Sequence, residues 1–402
     1  MLINTPPMGW NSWNTFGTDI SDYLIREMAD AIVEKGLDKA GYKYLVIDDG
    51  WSEFDRDPKT DRLVPHHEKF PDGFKPVADY VHSKGLKFGI YSCAGVRTCG
   101  DYPGSFDHEF LDAKTFAEWG VDYLKYDYCY RPTTASGPLL YHRMGNALRA
   151  SGRDILFSAC NWGRDHVWSW IRSTGAHMYR STGDITDNFD SIRAIFMSQV
   201  APHDDFNLNK ATQTLEQTEK AIRAAGGNCS SAPGCFNDLD MLTVGMFGKG
   251  LVGSTGCDAT DYKTEFALWC LFGSPLILGG DIRKLTPEML ELVKNPGLLA
   301  INQDPECRTV YSATNLDWND QRAVYAKLLA NGEIALGFFN LTDYDGKVYV
   351  FSEGIGFPSS CGVDLRLRDA MTGEEIGPMR DFHEEFLKKH ECRVLIATPE
   401  WR

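Results

Sequence analysis

The chain has 402 residues, 43% of them hydrophobic, and a formal net charge of −15. That length accommodates an α/β barrel of roughly 250 to 300 residues with a smaller domain beside it. The acidic balance argues against nucleic acid as a partner, since phosphate binding needs basic patches, and no stretch approaches the roughly 20 continuous apolar residues of a membrane span. The first seven residues carry neither a basic segment nor an apolar one of the export type, so a cytoplasmic location is expected. The 11 cysteines are scattered, without CxxC pairs, which disfavours a disulfide scaffold or a zinc site. Two sequons, Asn228-Cys229-Ser230 and Asn340-Leu341-Thr342, are matches too short to establish secretion.

A cycle repeats along the chain. A helical pattern ends near a glycine, an apolar strand follows, and polar residues sit at the strand's end. Met8-Gly9-Trp10-Asn11-Ser12-Trp13 is the first strand. Leu24, Met28 and Ile32 then recur at helical spacing before Gly36. The second strand, 42–47, runs into Asp48-Asp49-Gly50-Trp51. After a long loop at 52–72, Phe74, Val77 and Val81 mark a helix, and the strand 86–91 follows. Phe110, Phe116 and Trp119 mark the next helix, and the strand 121–126 ends in Asp127. Leu140, Met144 and Leu148 precede a strand at 155–159, which runs into Cys160-Asn161-Trp162. A sixth strand begins at Met178 and leads through Arg180 to Asp184. The stretch 201–234 reads as an elaborated loop, helical around 214–225. Cys235-Phe236-Asn237-Asp238-Leu239-Asp240-Met241 and Ser274-Pro275-Leu276-Ile277-Leu278 complete eight strands, with a helix at 262–272 between them. That alternation predicts a (β/α)8 TIM barrel over residues 1–307. A doubly wound sheet ranks lower, because no glycine-rich dinucleotide fingerprint follows the first strand. Beyond Pro305 the texture becomes antiparallel, with strands at 324–329, 334–339, 347–351 and 393–397 and an Asn331-Gly332 hairpin signal. Residues 308–402 are therefore expected to form a small C-terminal antiparallel β-sandwich domain.

Charge gathers at the predicted C-terminal ends of these strands: Asp48, Asp49, Lys125, Asp127, Arg180, Asp184 and Asp240. In a barrel that rim is where active sites are built. Lys125 and Asp127 are two apart on a strand and so share a face. They read either as a structural ion pair or as a reactive carboxylate held ionised by a neighbouring cation. No zinc-type His cluster and no phosphate-cradling glycine loop accompanies them, so neither metal nor cofactor is expected. Carboxylates with rim tryptophans (Trp10, Trp13, Trp51, Trp162) suit a polyhydroxylated ligand. Carboxylates accept hydrogen bonds from vicinal hydroxyls, and aromatic faces cover sugar C–H patches. Two carboxylates from different strands then point to glycoside hydrolysis. A Schiff-base lyase using Lys125 and a non-catalytic galactose-binding protein are the readings from other classes.

Six stretches, taken in order, resemble glycoside hydrolase family 27, the α-galactosidases (melibiases) and their relatives. They are Met8-Gly9-Trp10-Asn11-Ser12-Trp13, Ile47-Asp48-Asp49-Gly50-Trp51, Lys125-Tyr126-Asp127-Tyr128-Cys129, Arg180 with Asp184, Asn237-Asp238-Leu239-Asp240-Met241, and Ala300-Ile301-Asn302-Gln303-Asp304-Pro305. The resemblance implies a retaining exo-acting α-galactosidase with Asp127 as nucleophile and Asp184 as general acid/base. As a proton donor Asp184 is expected to sit in surroundings that raise its pKa. The resemblance also implies substrate contacts from Trp13, Asp48, Asp49, Tyr91, Lys125, Trp162, Arg180 and Asp240, and a disulfide between Cys99 and Cys129. Many family members carry Glu where this chain has Asn161, near the sugar's 2-hydroxyl. That departure leaves rejection of an N-acetyl group at the 2-position open. The sibling readings are α-N-acetylgalactosaminidase and β-L-arabinopyranosidase, which share the axial-hydroxyl pattern, and the Asp48-Asp49 pair with the room needed for a C6 hydroxymethyl favours galactose over arabinose. The 201–234 loop is longer than in the family's animal and plant members. It is expected to narrow the leaving-group side or to form a subunit contact, which keeps a homo-oligomer open.

Overall fold

The computed structural model describes residues 2–200, 231–314 and 321–402. Eight short parallel strands form one sheet: β1 Met8–Asn11, β2 Tyr44–Val46, β3 Lys87–Cys93, β4 Tyr123–Asp127, β5 Leu156–Cys160, β6 Met178–Arg180, β7 Phe236–Asp238 and β8 Leu276–Leu278. Their order, β7-β6-β5-β4-β3-β2-β1-β8, follows the chain and folds β8 back beside β1. Leu242, just past β7, bridges Leu278 of β8 in parallel, so the sheet curls into the expected barrel. The strands are apolar almost throughout because helices cover the outside and side chains fill the inside.

The helix Asp22–Glu34 starts on Ser21, whose hydroxyl accepts the Leu24 N–H, and buries Leu24, Met28 and Ile32 as the spacing predicts. The first strand is shorter than expected. It stops at Asn11, because the Asn11 Oδ1 accepts the Trp13 N–H at 2.9 Å and turns the chain into a single helical turn, Trp13–Phe16. The helix expected at 262–272 begins earlier, at Ala259, on a capping box formed by Asp258 and Asp261. It is buried nearly all round, since it lies between the barrel and the C-terminal sheets. The helical reading around 214–225 and the sequon at Asn228 lie outside the described residues.

The C-terminal part is antiparallel, as expected. Six strands, in the order β14-β13-β16-β11-β10-β9, face a two-stranded pair, β12-β15. The ranges are β9 Tyr311–Ser312, β10 Arg322–Leu328, β11 Ile334–Asn340, β12 Gly346–Phe351, β13 Val363–Asp369, β14 Glu375–Met379, β15 Phe382–Leu387 and β16 Cys392–Trp401. Val324, Leu336, Phe338, Val348, Val350 and Leu395 pack between the two layers. Strands β13 to β15 were absent from the sequence reading. Their outward residues are charged or aromatic, and β14 contains Gly377 and Pro378, so no simple apolar alternation marks them. The other side of the larger sheet joins the barrel's own core, with Tyr325, Ala335, Phe339 and Val394 in the same apolar cluster as Trp269.

Gly9 sits where β1 and β2 approach, and a Cβ there would lie 2.2 Å from the Tyr44 carbonyl oxygen. Gly9→Ala is therefore expected to lower the thermal unfolding midpoint by roughly 3–10 °C. A midpoint unchanged by calorimetry would contradict this packing.

Candidate active site

The C-terminal ends of the barrel strands enclose a cavity of about 330 Å³. Among its lining residues are Trp13, Asp48, Asp49, Tyr91, Lys125, Asp127, Trp162, Arg180 and Asp184, which the sequence singled out, together with Cys99. A roomier depression of about 500 Å³ lies beside β12 in the C-terminal part, but no comparable set of buried carboxylates lines it. The chemistry therefore selects the smaller space.

Lys125 and Asp127 share the face of β4 that looks into this cavity. Lys125 nevertheless makes its short contact elsewhere: its Nζ donates to Asp48 Oδ2 at 2.7 Å. The Asn11 Nδ2 donates to the same oxygen, also at 2.7 Å. Burial disfavours the ammonium, but Asp48 and Asp127 outweigh it and hold Lys125 above its ordinary pKa. Asp127 accepts the Tyr128 N–H at 2.8 Å on Oδ1 and the Tyr91 hydroxyl at 3.1 Å on Oδ2. Burial pushes its carboxyl up to about 6, with Lys125 and Arg180 pulling the other way. Asp49 is pushed up to about 6 by burial too, although the N–H groups of Gly50 and Gly100 hold its two oxygens at 2.8 Å each.

Arg180 lies between two carboxylates. Its Nη2 donates to Asp184, and its Nη1 lies 3.2 Å from Asp240 Oδ1. The two partners differ sharply, with the Asp184 side chain 80% exposed and that of Asp240 4%. Crowding alone would raise Asp184, but Arg180 outweighs it and holds the carboxyl below its ordinary value. This is opposite to the elevated pKa expected of it. The reason is direct: the Arg180 guanidinium lies against the carboxylate and stabilises its charged form.

Asp240 and Asn161 also depart from their expected positions. Neither is among the residues lining the cavity. Asp240 stands behind Arg180 and accepts the Ile185 N–H at 2.8 Å, with its own backbone at φ 106°. Asn161 is fully buried, and its Nδ2 donates to the Arg164 carbonyl at 2.8 Å. Trp10 and Trp51 are buried in the core, their indole N–H groups donating to Gly280 and Tyr91 carbonyls at 2.7 and 2.9 Å, so they are no part of an aromatic rim. Trp13 and Trp162 do line the cavity.

Sequence reasoning missed Asn14, Ile185, Thr186, Met241, Leu251 and Val252, which complete the wall. Leu251 and Val252 belong to a segment dense in Gly248, Gly250, Gly253 and Gly256. Their N–H groups donate to the carbonyls of Thr15 and Asn14. That glycine density was the one available signal. The disulfide between Cys99 and Cys129 is present, two residues beyond Asp127. Among the described residues, Cys99, Asp127 and Cys129 lie close enough to share an ion, but their sulfurs are bonded to each other. Glu53, His66 and His67, on the surface, form another such group. No helix among the described residues is long and apolar enough to cross a membrane.

The profile of the family described as alpha galactosidase A matches residues 5–304. The chain belongs to the alpha galactosidase A family. Alpha-galactosidase 2 of Arabidopsis thaliana is 42% identical over 404 residues, covering 99% of this chain and 92% of that protein. The alpha-galactosidase of Oryza sativa subsp. japonica is 36% identical over 402 residues, covering 99% and 86%. The crystal structure of alpha-galactosidase I from Mortierella vinacea superimposes with a TM-score of 0.82 at 32% identity, covering 99% of this chain and 98% of that one. Membership of this family makes the chain a glycoside hydrolase with the barrel and antiparallel sheet described above.

In this family member Asp240 is the buried carboxylate that anchors Arg180. Asp240→Asn breaks a buried charge pair, a change that costs about 3–5 kcal/mol in comparable sites. The variant is expected to unfold at a lower denaturant midpoint with its slope retained. An unchanged midpoint would mean that Arg180 is held by other contacts.

Proposed function

We propose that the chain is a retaining exo-glycosidase that releases terminal α-D-galactosyl residues through a covalent galactosyl-enzyme. The observation that carries this reading is the contrast between Asp127 and Asp184. Asp127 is buried and fixed by two hydrogen-bond donors. Asp184 is exposed and held by an arginine that a sugar can engage. A fixed carboxylate suits a nucleophile, and a solvated one suits proton exchange with leaving groups and water.

Above about pH 6 Asp127 is ionised and attacks the anomeric carbon as the glycosidic bond breaks. Asp184 gives its proton to the departing oxygen. The sugar's 2- and 3-hydroxyls, as the resemblance implies, take Arg180. That removes the contact which holds Asp184 low, and binding thereby prepares the acid. Asp184, now a carboxylate, next takes a proton from water, which attacks the anomeric carbon and frees Asp127 with the original configuration restored. Asp48, Asp49 and Lys125 are the groups for the remaining hydroxyls, and Trp13 and Trp162 for the ring's apolar face.

A Schiff-base lyase is disfavoured, because a lysine paired to Asp48 stays protonated and is no nucleophile. A non-catalytic galactose-binding protein would need neither a fixed nor an exposed carboxylate at the cavity. Of the sibling activities, α-N-acetylgalactosaminidase turns on the 2-position, and there Asn161 is fully buried, outside the cavity lining, with its Nδ2 donating to the Arg164 carbonyl. The Cys99–Cys129 bridge favours an oxidising compartment over the cytoplasm.

Asp127→Asn is expected to lower kcat on p-nitrophenyl α-galactoside by roughly 10³-fold or more. Asp184→Ala should lose activity most on substrates with poor leaving groups, and added azide should yield α-galactosyl azide. Wild-type inactivity, or turnover unchanged in Asp127→Asn, would sink the reading. For the wild-type enzyme kcat/KM should fall on the acid side near pH 6, where Asp127 gains its proton. An acid limb that stays flat to pH 4 would assign the nucleophile elsewhere.

A further inference from the structure

His66 and His67 are neighbours in the chain, and neighbours in an extended strand face opposite sides. These two do not. The chain turns here, with the Phe70 N–H donating to the His66 carbonyl at 2.8 Å. The two imidazole rings lie side by side, 5.2 Å apart between centroids and with 7° between their planes. Glu53 meets them from the other arm of the same loop. The arms are joined by an antiparallel bridge between Ser52 and Pro65. The Glu53 N–H donates to the Val64 carbonyl and the His66 N–H to the Trp51 carbonyl, both at 2.8 Å. This frame is fixed to the core through Trp51 and Phe70, which are buried, and Lys69 Nζ ties across it to the Gly50 carbonyl at 2.7 Å. Glu53 Oε1 accepts the His67 N–H at 2.8 Å and lies 2.7 Å from the His67 Nδ1. The His66 Nδ1 accepts the Glu68 N–H at 3.2 Å and so presents a lone pair. One ligand atom from each of Glu53, His66 and His67 falls within 4.8 Å of the other two.

We propose that Glu53, His66 and His67 form a binding site for a zinc-class divalent cation, which staples the two arms of the loop that leads away from Asp49. Two imidazoles and a carboxylate are a donor set that zinc accepts with water in its fourth position. Calcium and magnesium prefer oxygen ligands throughout, and two of these three ligands are nitrogens. Zinc–ligand distances of about 2.0–2.2 Å in a tetrahedral arrangement put the donor atoms about 3.3–3.5 Å apart. The Glu53–His67 contact must therefore open slightly. That is a small adjustment for the His67 side chain, which is 76% exposed. The cation takes the place of the proton shared between His67 Nδ1 and Glu53, and that proton leaves to water. None of the three residues lines the cavity at the barrel mouth, so the site does not rest on the sugar chemistry above.

The test uses the full chain without an affinity tag, stripped with EDTA and exchanged into chelator-free buffer. Calorimetric titration with zinc chloride is expected to show one equivalent bound with a Kd on the order of 1–10 µM, and titration with magnesium or calcium none. His66→Ala, His67→Ala and Glu53→Gln should each weaken zinc by at least about tenfold. At a hundredfold excess over Kd, zinc should raise the thermal unfolding midpoint of the wild type by roughly 2–5 °C, and that of the double variant His66→Ala with His67→Ala by less than about 1 °C. In the wild-type chain zinc should also protect His66 and His67 from diethylpyrocarbonate, read peptide by peptide by mass spectrometry, a measurement that needs no variant. Absence of saturable zinc binding below about 1 mM overturns the proposal. So does equal affinity in the double variant, or protection confined to other histidines, since zinc is then held elsewhere.

Discussion

Charge at the mouth of the barrel is unevenly matched, and much else there follows from how it is shared. The carboxylates of Asp127, Asp184, Asp238 and Asp240 all draw on Lys125 and Arg180, and Asp48 draws on Lys125. Burying a carboxylate without a full counter-charge raises its pKa, and Asp127 and Asp238 are each pushed up to about 6 mainly by burial. The two cations pair most closely with Asp48, Asp184 and Asp240. Among the described residues, Asp127 is left with hydrogen-bond donors and no direct ion pair. That suits the nucleophile's role proposed for Asp127, since a carboxylate locked to a cation is a poorer nucleophile.

The same sharing bears on order of events. A resting Arg180 divided between a buried and an exposed carboxylate can give up the exposed one at little cost, because a solvated pair contributes little. The buried partner keeps the guanidinium in position when that happens. In the proposed mechanism, recognition of the sugar and readiness of Asp184 as proton donor are coupled through one side chain, with no movement of the barrel required.

The repeat of helix, glycine and apolar strand was legible because barrel strands are covered on both faces and read as unbroken apolar runs. The β13 to β15 strands were not, since a half-exposed antiparallel strand bearing charge and aromatics resembles a loop. At the site, the residue types at strand ends were legible, but their partners were not. Lys125 and Asp127 do share a face, yet the lysine reaches across to Asp48, 77 residues away in sequence. Asp240 and Asn161 lie on the right segments but are not among the residues lining the cavity. A strand's alternation says which side a residue faces, and says nothing once the chain leaves the strand. Asp240, two residues past its strand and with positive φ, is one residue for which that rule gave out.

The apolar cluster around Trp269 has a consequence for how the molecule can be divided. Its helix is covered on one side by the barrel and on the other by Tyr325, Phe339 and Val394 of the C-terminal sheet. Thr264 donates its hydroxyl to the His390 carbonyl at 2.6 Å across the same junction. The sheet thus serves the barrel as its missing outer layer at that point. A barrel trimmed of it would meet water with a helix that has no polar face, and would be a sticky fragment rather than a smaller enzyme.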